Sequence, residues 1–414
     1  MQRIILHSDL NNFFASVECR MDTSLIGRPV AVAGDEERRH GIVLAKNCEA
    51  KKYGIKTGHT LCEARSLCPD IVFVSPHYEL YEEFSQKARE IYKSYSDLVE
   101  PFGIDECWLD ISSIARDFNA GRTIAEEIKQ KIKNTLGITV SVGVSFNKVF
   151  AKLGSDMKKP DAVTVISPDN FKQKIWDLPV EDLLFVGRAT AKKFFNLRIK
   201  TIGDLANYSP EILKLSLGKN GLLLHNYANG IDPSPVSSHE RETIIKSVSN
   251  SSTPPRDIVS EEDARVMLYS LCENVSSRMR RYGLVCDTVK LGVRDTSLRC
   301  YERQTKLAYP NRTASALFDS AFSLYLANRF NSIPLRSIGV CAGGISSDKH
   351  EQLSFAPSFI KLQKRETLEA VTDSIRTHYG VMSIQRGIML TERDIQPNFA
   401  VNRVSFGSDA RLNV

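Results

Sequence analysis

The chain opens on an apolar run, Ile4-Ile5-Leu6, that reads as a buried strand from Arg3 to Ser8 and ends at a carboxylate, Asp9. Asp9 to Glu18 reads as a strand-to-helix corner, and Pro29–Ala33 and Ile42–Ala45 as two short strands. Lys46 to Gly54 reads as one or two helical turns stopped by Gly54, and Thr60 to Cys68 as a packed helix ended by Pro69. From Tyr78 to Leu98 apolar side chains recur at helical spacing (Leu80, Tyr81, Phe84, Ala88, Ile91, Tyr92, Tyr95), which predicts a long amphipathic helix. A turn signal, Pro101 and Gly103, then leads through Asp105-Glu106 into a second apolar strand. Thr123–Leu136 carries Ile124, Ala125, Ile128 and Ile132 on one helical face, and Ile138–Val144 is a further strand. This alternation of strands and helices predicts a mixed sheet with helices packed on one side.

Beyond residue 165 the pattern becomes helical. Leu178 to Phe194, Ile202–Ala206 and Leu217–Gly221 fit a small helical domain, and Asp232–Ser238 is Pro/Ser-rich, as at the start of a linker. Lys246–Asn250 reads as a strand, Glu261 to Tyr282 as a helix, and Thr288–Arg294 and Ser297–Arg303 as strands alternating basic and apolar residues. A helix from Lys364 to Tyr379 is stopped at Gly380.

The 414 residues exceed one ordinary core, so two to four domains are expected. Hydrophobic content of 42% and charged content of 25% are those of an ordinary globular protein. No apolar run approaches the ~20 residues that span a bilayer, and the N-terminus lacks a signal-peptide pattern. The nine cysteines form no Cys-x-x-Cys pair or Cys/His cluster, which points to reduced thiols in the cytoplasm and away from zinc. The formal net charge of +6 is a mild pointer to an anionic partner. Residues 246–350 hold about five more basic than acidic residues, most of that excess, so one basic sheet face suited to a DNA backbone is expected there.

Asp105 and Glu106 are the centre of the chemistry. Neighbours in a regular strand point to opposite faces, so both can serve one site only at a strand end or bend, which Gly103 makes cheap. With Asp9 at the end of the first strand, three carboxylates could hold a pair of hard divalent cations such as Mg²⁺. Lys46, Lys51 and Lys52 lie near one strand end. The Ser145-x-Asn147 helix start is a natural anion site, and Lys148, Lys152 and Lys159 recur where a triphosphate would lie.

These segments together resemble a family. Asp9-Leu10-Asn11-Asn12-Phe13-Phe14-Ala15-Ser16-Val17-Glu18, Ile104-Asp105-Glu106, and Ser145-x-Asn147-Lys148-x-x-Ala151-Lys152 followed by Lys159-Pro160 resemble, in order and spacing, the three motifs of Y-family translesion DNA polymerases, and most closely their bacterial DinB-like branch. The resemblance covers roughly residues 1 to 350. It implies an α+β multidomain right-hand polymerase, with a palm of mixed sheet plus helices (1–10 and 76–165), small fingers (11–75) and a helical thumb with a helix-hairpin-helix (166–233). A linker (234–245), a little finger of sheet plus helices (246–350) and a C-terminal tail (351–414) would follow. It implies Asp9, Asp105, Glu106 and the Leu10 carbonyl as ligands of two Mg²⁺. Phe13, Phe14, Cys48, Lys51 and Lys159 would meet the incoming nucleotide, with Phe14 as the steric gate against a ribose 2′-OH. Cys48 and Lys51 stand where the family usually has Tyr and Arg, so a phenol and a bidentate fork are lost. Lys148, Lys152, Gly187, Lys246, Lys290, Arg294, Arg299 and Arg303 are the expected DNA contacts. At the hairpin, Phe185 replaces the first glycine of the usual Gly-x-Gly, and a plain helical turn is the rival reading. Gln352-Leu353-Ser354-Phe355 resembles a peptide that binds the bacterial sliding clamp, with Gln352, Leu353 and Phe355 as its contacts.

The expected partners are therefore primer-template DNA, dNTP and a sliding clamp, with no membrane, for a monomer in the cytoplasm. Two rivals from other classes stand beside this reading. A nucleotidyl cyclase on a palm-like sheet would need no thumb, basic sheet or clamp peptide, and a non-catalytic repair scaffold would not need Asp9, Asp105 and Glu106 together.

Overall fold

The computed structural model describes residues 2–35, 41–238, 245–347, 357–390 and 395. The chain forms two compact units, residues 1–34 with 42–242, and residues 35–41 with 243–414. In the first, β1 (Ile5–Leu10) leads into α1 (Phe13–Met21), then β2 (Val30–Ala33), β3 (Val43–Lys46), α2 (Cys48–Lys52), α3 (Leu61–Leu67) and β4 (Val72–Val74). The chain continues through α4 (Tyr78–Lys93), β5 (Val99–Pro101), β6 (Glu106–Asp110), α5 (Phe118–Leu136), β7 (Val140–Ser145), α6 (Lys148–Met157) and β8 (Val163–Ile166). The helices α7 (Phe171–Ile175), α8 (Arg188–Asn196), α9 (Ile202–Ala206), α10 (Pro210–Leu217) and α11 (Lys219–Ala228) complete it.

The main sheet has the order β5-β6-β1-β7-β8, antiparallel around β1 and parallel between β7 and β8. Every residue of β1 is buried, because helices cover both faces. Leu6 and Leu10 face the core shared with α4 and α5, whereas Ile5 packs with Trp108 and with Ala151 of α6. The expectation of helices on one side is thus corrected: α6 lies on the other face. A missing side chain sets its distance. A Cβ on Gly143 of β7 would stand 1.9 Å from the Ala151 carbonyl oxygen, and one on Gly154 would stand 3.2 Å from the Gly143 Cα. The helix therefore sits nearly on the strand backbone.

The small sheet β3-β2-β4 has its own core of Ala31, Val43, Ala50, Ile55 and Ala64, while Phe13 and Val17 of α1 join the core of the main sheet. The helices α7 to α11 pack around Phe194, Ile202, Leu205 and Leu213 against Phe150 and Leu153 of α6. Residues 232–237, expected to begin a linker, are tied down. Arg3 donates to the Asp232 and Ser234 carbonyls, Glu100 accepts from the Ser237 N–H at 2.8 Å, and Val236 is buried beside Trp108.

In the expected hairpin, a single 3₁₀ turn (Val180–Asp182) and a bend precede α8. Phe185 has φ 70°, the left-handed conformation that a glycine would normally supply, at a cost of about 1–2 kcal/mol. Gly187 is the N-cap of α8, and no side chain caps that end.

The second unit contains β9 (Ser247–Ser252), α12 (Glu261–Arg281), β10 (Leu284–Asp295), β11 (Cys300–Asn311), α13 (Ala314–Ala327), β12 (Leu335–Ser347) and α14 (Pro357–Tyr379). Its antiparallel sheet, β11-β10-β12-β9, packs one face on α12 and α13. Met389 and Ile395 also enter this core, and Arg280 joins α12 to Glu369 and Asp373 of α14, so the unit continues past residue 350.

Candidate active site

Side chains alternate along a strand, so His7 and Asp9 of β1 share the face that carries Ile5 and looks toward α6. The β1–β6 register sets Glu106 directly opposite Asp9, and residues directly opposite share a face. Asp105 lies just before β6, at the strand end, and its carbonyl accepts the Leu10 N–H at 3.0 Å. Gly103 makes the bend with φ 139°, and the loop is pinned from α4: the Ser85 hydroxyl donates to the Ile104 carbonyl and Arg89 donates to the Gly103 carbonyl at 3.3 Å. The three predicted carboxylates thus meet at two adjacent strand ends.

Lys152 of α6 and Lys159, just after that helix, meet the Asp9 and Glu106 carboxylates there. Lys152 Nζ lies 2.9 Å from Glu106 Oε1, 3.3 Å from Asp9 Oδ2 and 3.2 Å from Asp156 Oδ2. Lys159 Nζ lies 2.8 Å from both Asp9 Oδ2 and Asp156 Oδ1. Asn11 accepts from the Asp161 N–H at 2.9 Å and so holds the Lys159 segment at the corner after β1. Beneath Glu106, the buried His7 Nδ1 is 2.9 Å from the Ser155 hydroxyl, which itself donates to the Lys152 carbonyl. The other ring nitrogen, Nε2, stands 3.4 Å from Glu106 Oε2.

Burial dominates the electrostatics. It pushes the Asp105 carboxyl up to about 6, with the Glu106 and Asp9 charges adding to the effect. Burial also raises Asp9, although Lys159 and Lys152 oppose the shift. His7 falls to about 3, chiefly through burial and then through Lys152, so it is neutral. Burial acts to lower Lys152, but Glu106, Asp156 and Asp9 outweigh it and hold the ammonium above its ordinary range.

The oxygen-only donor set suits a hard divalent cation. Glu106 Oε2 is buried without a hydrogen-bond partner, and Asp105 is crowded by two like charges that a cation would relieve. Among the described residues no group of three or more His, Cys, Asp or Glu side chains is already gathered for a metal, and Lys152 contacts both Asp9 and Glu106.

Of the aromatic pair, Phe13 is core, 3% exposed, and can offer a nucleotide only its main chain. Phe14 is partly exposed, stacked on Tyr81 at 4.2 Å and edge-on to Tyr78 at 6.0 Å. Tyr81 is itself fixed by its hydroxyl on Glu18. Cys48 accepts from Asn12 at 3.2 Å, which brings α2 to the same corner, and Lys51 is exposed in the last turn of that helix.

Two expected DNA contacts already have partners within the protein. Lys148 pairs with Glu100 at 2.7 Å and lies over the Trp108 ring at 4.4 Å, 13% exposed, so it braces the sheet. Lys152 belongs to the carboxylate cluster. In the second unit the row of cations divides. Lys290 and Arg294 point away from the helices, but Arg303 is paired with the core residue Leu291, lies on the helix side and donates to Asn328 of α13's end at 2.9 Å. Arg299 is exposed in the β10–β11 turn, and Lys246 is exposed just before β9. The open face is mostly small: Ser247, Ser249 and Ser251 stand opposite Gly343, Cys341 and Gly339. Gln352, Leu353 and Phe355 lie outside the described residues. Sequence reasoning passed over His7, Asn11 and Asp156. Their signal was available, since His7 is two residues before Asp9 on a strand and Asp156 is one helical turn beyond Lys152.

Residues 8–156 match the model of the impB/mucB/samB family and residues 245–355 that of the family's C-terminal domain. The chain is 49% identical over 396 residues to the DNA polymerase IV of Acetivibrio thermocellus, covering 95% of this chain and 99% of that protein. It is 39% identical over 387 residues to the DNA polymerase IV of Pelotomaculum thermopropionicum, covering 94% and 95%. A solved Y-family DNA polymerase chimera shares the fold with a TM-score of 0.73 at 24% identity, covering 83% of this chain and 99% of that one.

Proposed function

This chain belongs to the impB/mucB/samB family, the Y-family translesion DNA polymerases of the DNA polymerase IV branch, and we propose that Asp9, Asp105 and Glu106 carry its nucleotidyl transfer. It is a DNA-directed DNA polymerase that acts in lesion bypass. The observation that supports the site assignment is that Asp9 and Glu106 stand opposite each other on paired strands with Asp105 next to them, and that the Lys152 and Lys159 ammoniums lie on Asp9 and Glu106.

Asp9, Asp105 and Glu106, with the Leu10 carbonyl, would hold two Mg²⁺, which when bound activate a primer 3′-OH and stabilise a leaving pyrophosphate. The protein's own groups do the rest. The main-chain clamp on residues 103–105 keeps Asp105 aimed beside Glu106. Lys159, on the exposed side of the cluster, exchanges Asp9 and Asp156 for phosphate oxygens. Phe14 walls the sugar edge. Cys48 and Lys51 meet the phosphates with a thiol and a point charge, weaker partners than a phenol and a guanidinium fork.

The open sheet face of the second unit takes the duplex backbone. Its glycines and serines allow close approach, and Lys290 and Arg294 supply charge. The uncapped start of α8 at Gly187 offers N–H groups to a phosphate. Affinity for primer-template DNA then falls with log salt, by about 0.9 per phosphate contact. Lys290→Gln reduces that slope by about one, whereas Arg303→Gln, on the helix side, leaves it unchanged. Fluorescence anisotropy between low and moderate salt measures both, and equal slopes for the two variants would remove the open face from the DNA contact.

The peptide Gln352–Phe355 binds a sliding clamp through Gln352, Leu353 and Phe355. The protein works as a monomer in the cytoplasm, and no helix among the described residues is long and apolar enough to cross a membrane. Primer extension with Mg²⁺ and dNTP on a lesion-bearing template tests the reading. Template-dependent extension is expected. A cyclic product from nucleoside triphosphate alone, or DNA binding without extension, would replace it.

A further inference from the structure

The position of Lys152 carries an inference that rests on the cation-site reading and goes beyond it. Its ammonium contacts one oxygen each of Asp9 and Glu106, at 3.3 and 2.9 Å, and its side chain is 14% exposed. These are two of the carboxylates that a divalent ion needs. The helix beneath cannot move aside, because the Ala151 carbonyl lies against Gly143 and the buried Ala151 packs on Trp108 and Ile5. Only the flexible end of Lys152 can yield. It has a place to go: Asp156, one turn further on α6, is already 3.2 Å away and is far more exposed than Asp9.

We propose that Lys152 is the resident counter-cation of the catalytic carboxylates, and that a divalent ion must displace its ammonium toward Asp156 before it can bind. Two positive groups cannot share the same oxygens, so the lysine competes directly with the metal. In the free protein it neutralises carboxylates that would otherwise repel one another beneath a buried sheet edge. The same contact keeps the site from loading metal on its own. When a nucleotide arrives, its phosphates add metal ligands and draw Lys159 off Asp9, and the balance turns against Lys152. Lys152 is therefore a positioning residue that sets the metal threshold.

The experiment is a Mn²⁺ titration of the full chain without DNA or nucleotide, followed by electron paramagnetic resonance. Lys152→Met, which keeps the stem and removes the charge, should bind Mn²⁺ at least about tenfold more tightly than wild type, and Asp9→Asn should weaken binding in both backgrounds. Equal or weaker binding by Lys152→Met, with Asp9→Asn still weakening it, overturns the competition and leaves the carboxylate site intact. Indifference of both backgrounds to Asp9→Asn overturns the carboxylate reading, and the competition with it. A measurement on the wild type does not depend on how the variant folds: acylation of Lys152, read by mass spectrometry, should quicken when Mg²⁺ is added together with a dNTP. Unchanged labelling overturns the proposal.

Discussion

Asp105→Asn is expected to lower the primer-extension rate by on the order of 10²–10³ or more, the scale of losing one transition-state stabiliser, while raising the melting temperature of the metal-free protein. The two effects have one origin. Burial, then Glu106, then Asp9 push the Asp105 carboxyl up to about 6 from its ordinary 3.8. The folded chain thus holds that proton more tightly than the unfolded chain does. The contribution of this group to stability is complete below about pH 4 and is lost as pH rises through about 6. At neutral pH the charged carboxylate costs at most roughly 3 kcal/mol, at about 1.4 kcal/mol per pH unit of displacement. Asparagine keeps the shape and removes that cost. Thermal melts in EDTA should place the variant several degrees above wild type at pH 8, and the gap should close toward pH 4. Near-wild-type extension would remove Asp105 from catalysis, and a lower melting point at pH 8 would refute the account of its crowding.

Phe14→Ala is expected to erode discrimination against ribonucleotides by roughly 10- to 100-fold, the equivalent of about 1–3 kcal/mol of steric overlap. The ring acts as a wall because it cannot swing. It is stacked within 12° of parallel on Tyr81, with Tyr78 edge-on, and Tyr81 is anchored through Glu18, which also accepts from His77. The ratio of kcat/KM for dCTP and CTP measures the effect. Phe13→Ala should leave that ratio unchanged and instead cost about 3–5 kcal/mol of stability, because its ring fills the core. Equal selectivity changes in the two variants would mean that the wall is not Phe14.

Much of this was legible along the chain. The helical spacing of Tyr81, Phe84, Ala88, Ile91 and Tyr92 became the buried face of α4, because periodicity is a local property that any core exploits in the same way. The Gly103 bend and the end of the apolar run at Asp9 marked the candidate carboxylates, and the Pro/Ser-rich stretch marked the approach to the unit boundary. At the turn before α8, Phe185 itself takes up the left-handed conformation that the missing glycine would supply.

The amino-acid order by itself determined the elements, the three acidic positions and the family, since these depend on residue type and spacing. Pairing and packing decided which groups meet. Arg303 turned away from Lys290 because β11 alternates only weakly, so its facing is set by the register that puts Arg303 opposite Leu291. Lys148 was claimed by Glu100 and Trp108, which lie some forty positions away. Lys152 entered the carboxylate cluster because Gly143 lets α6 settle onto the sheet, and a close approach between distant segments is a property of three-dimensional packing.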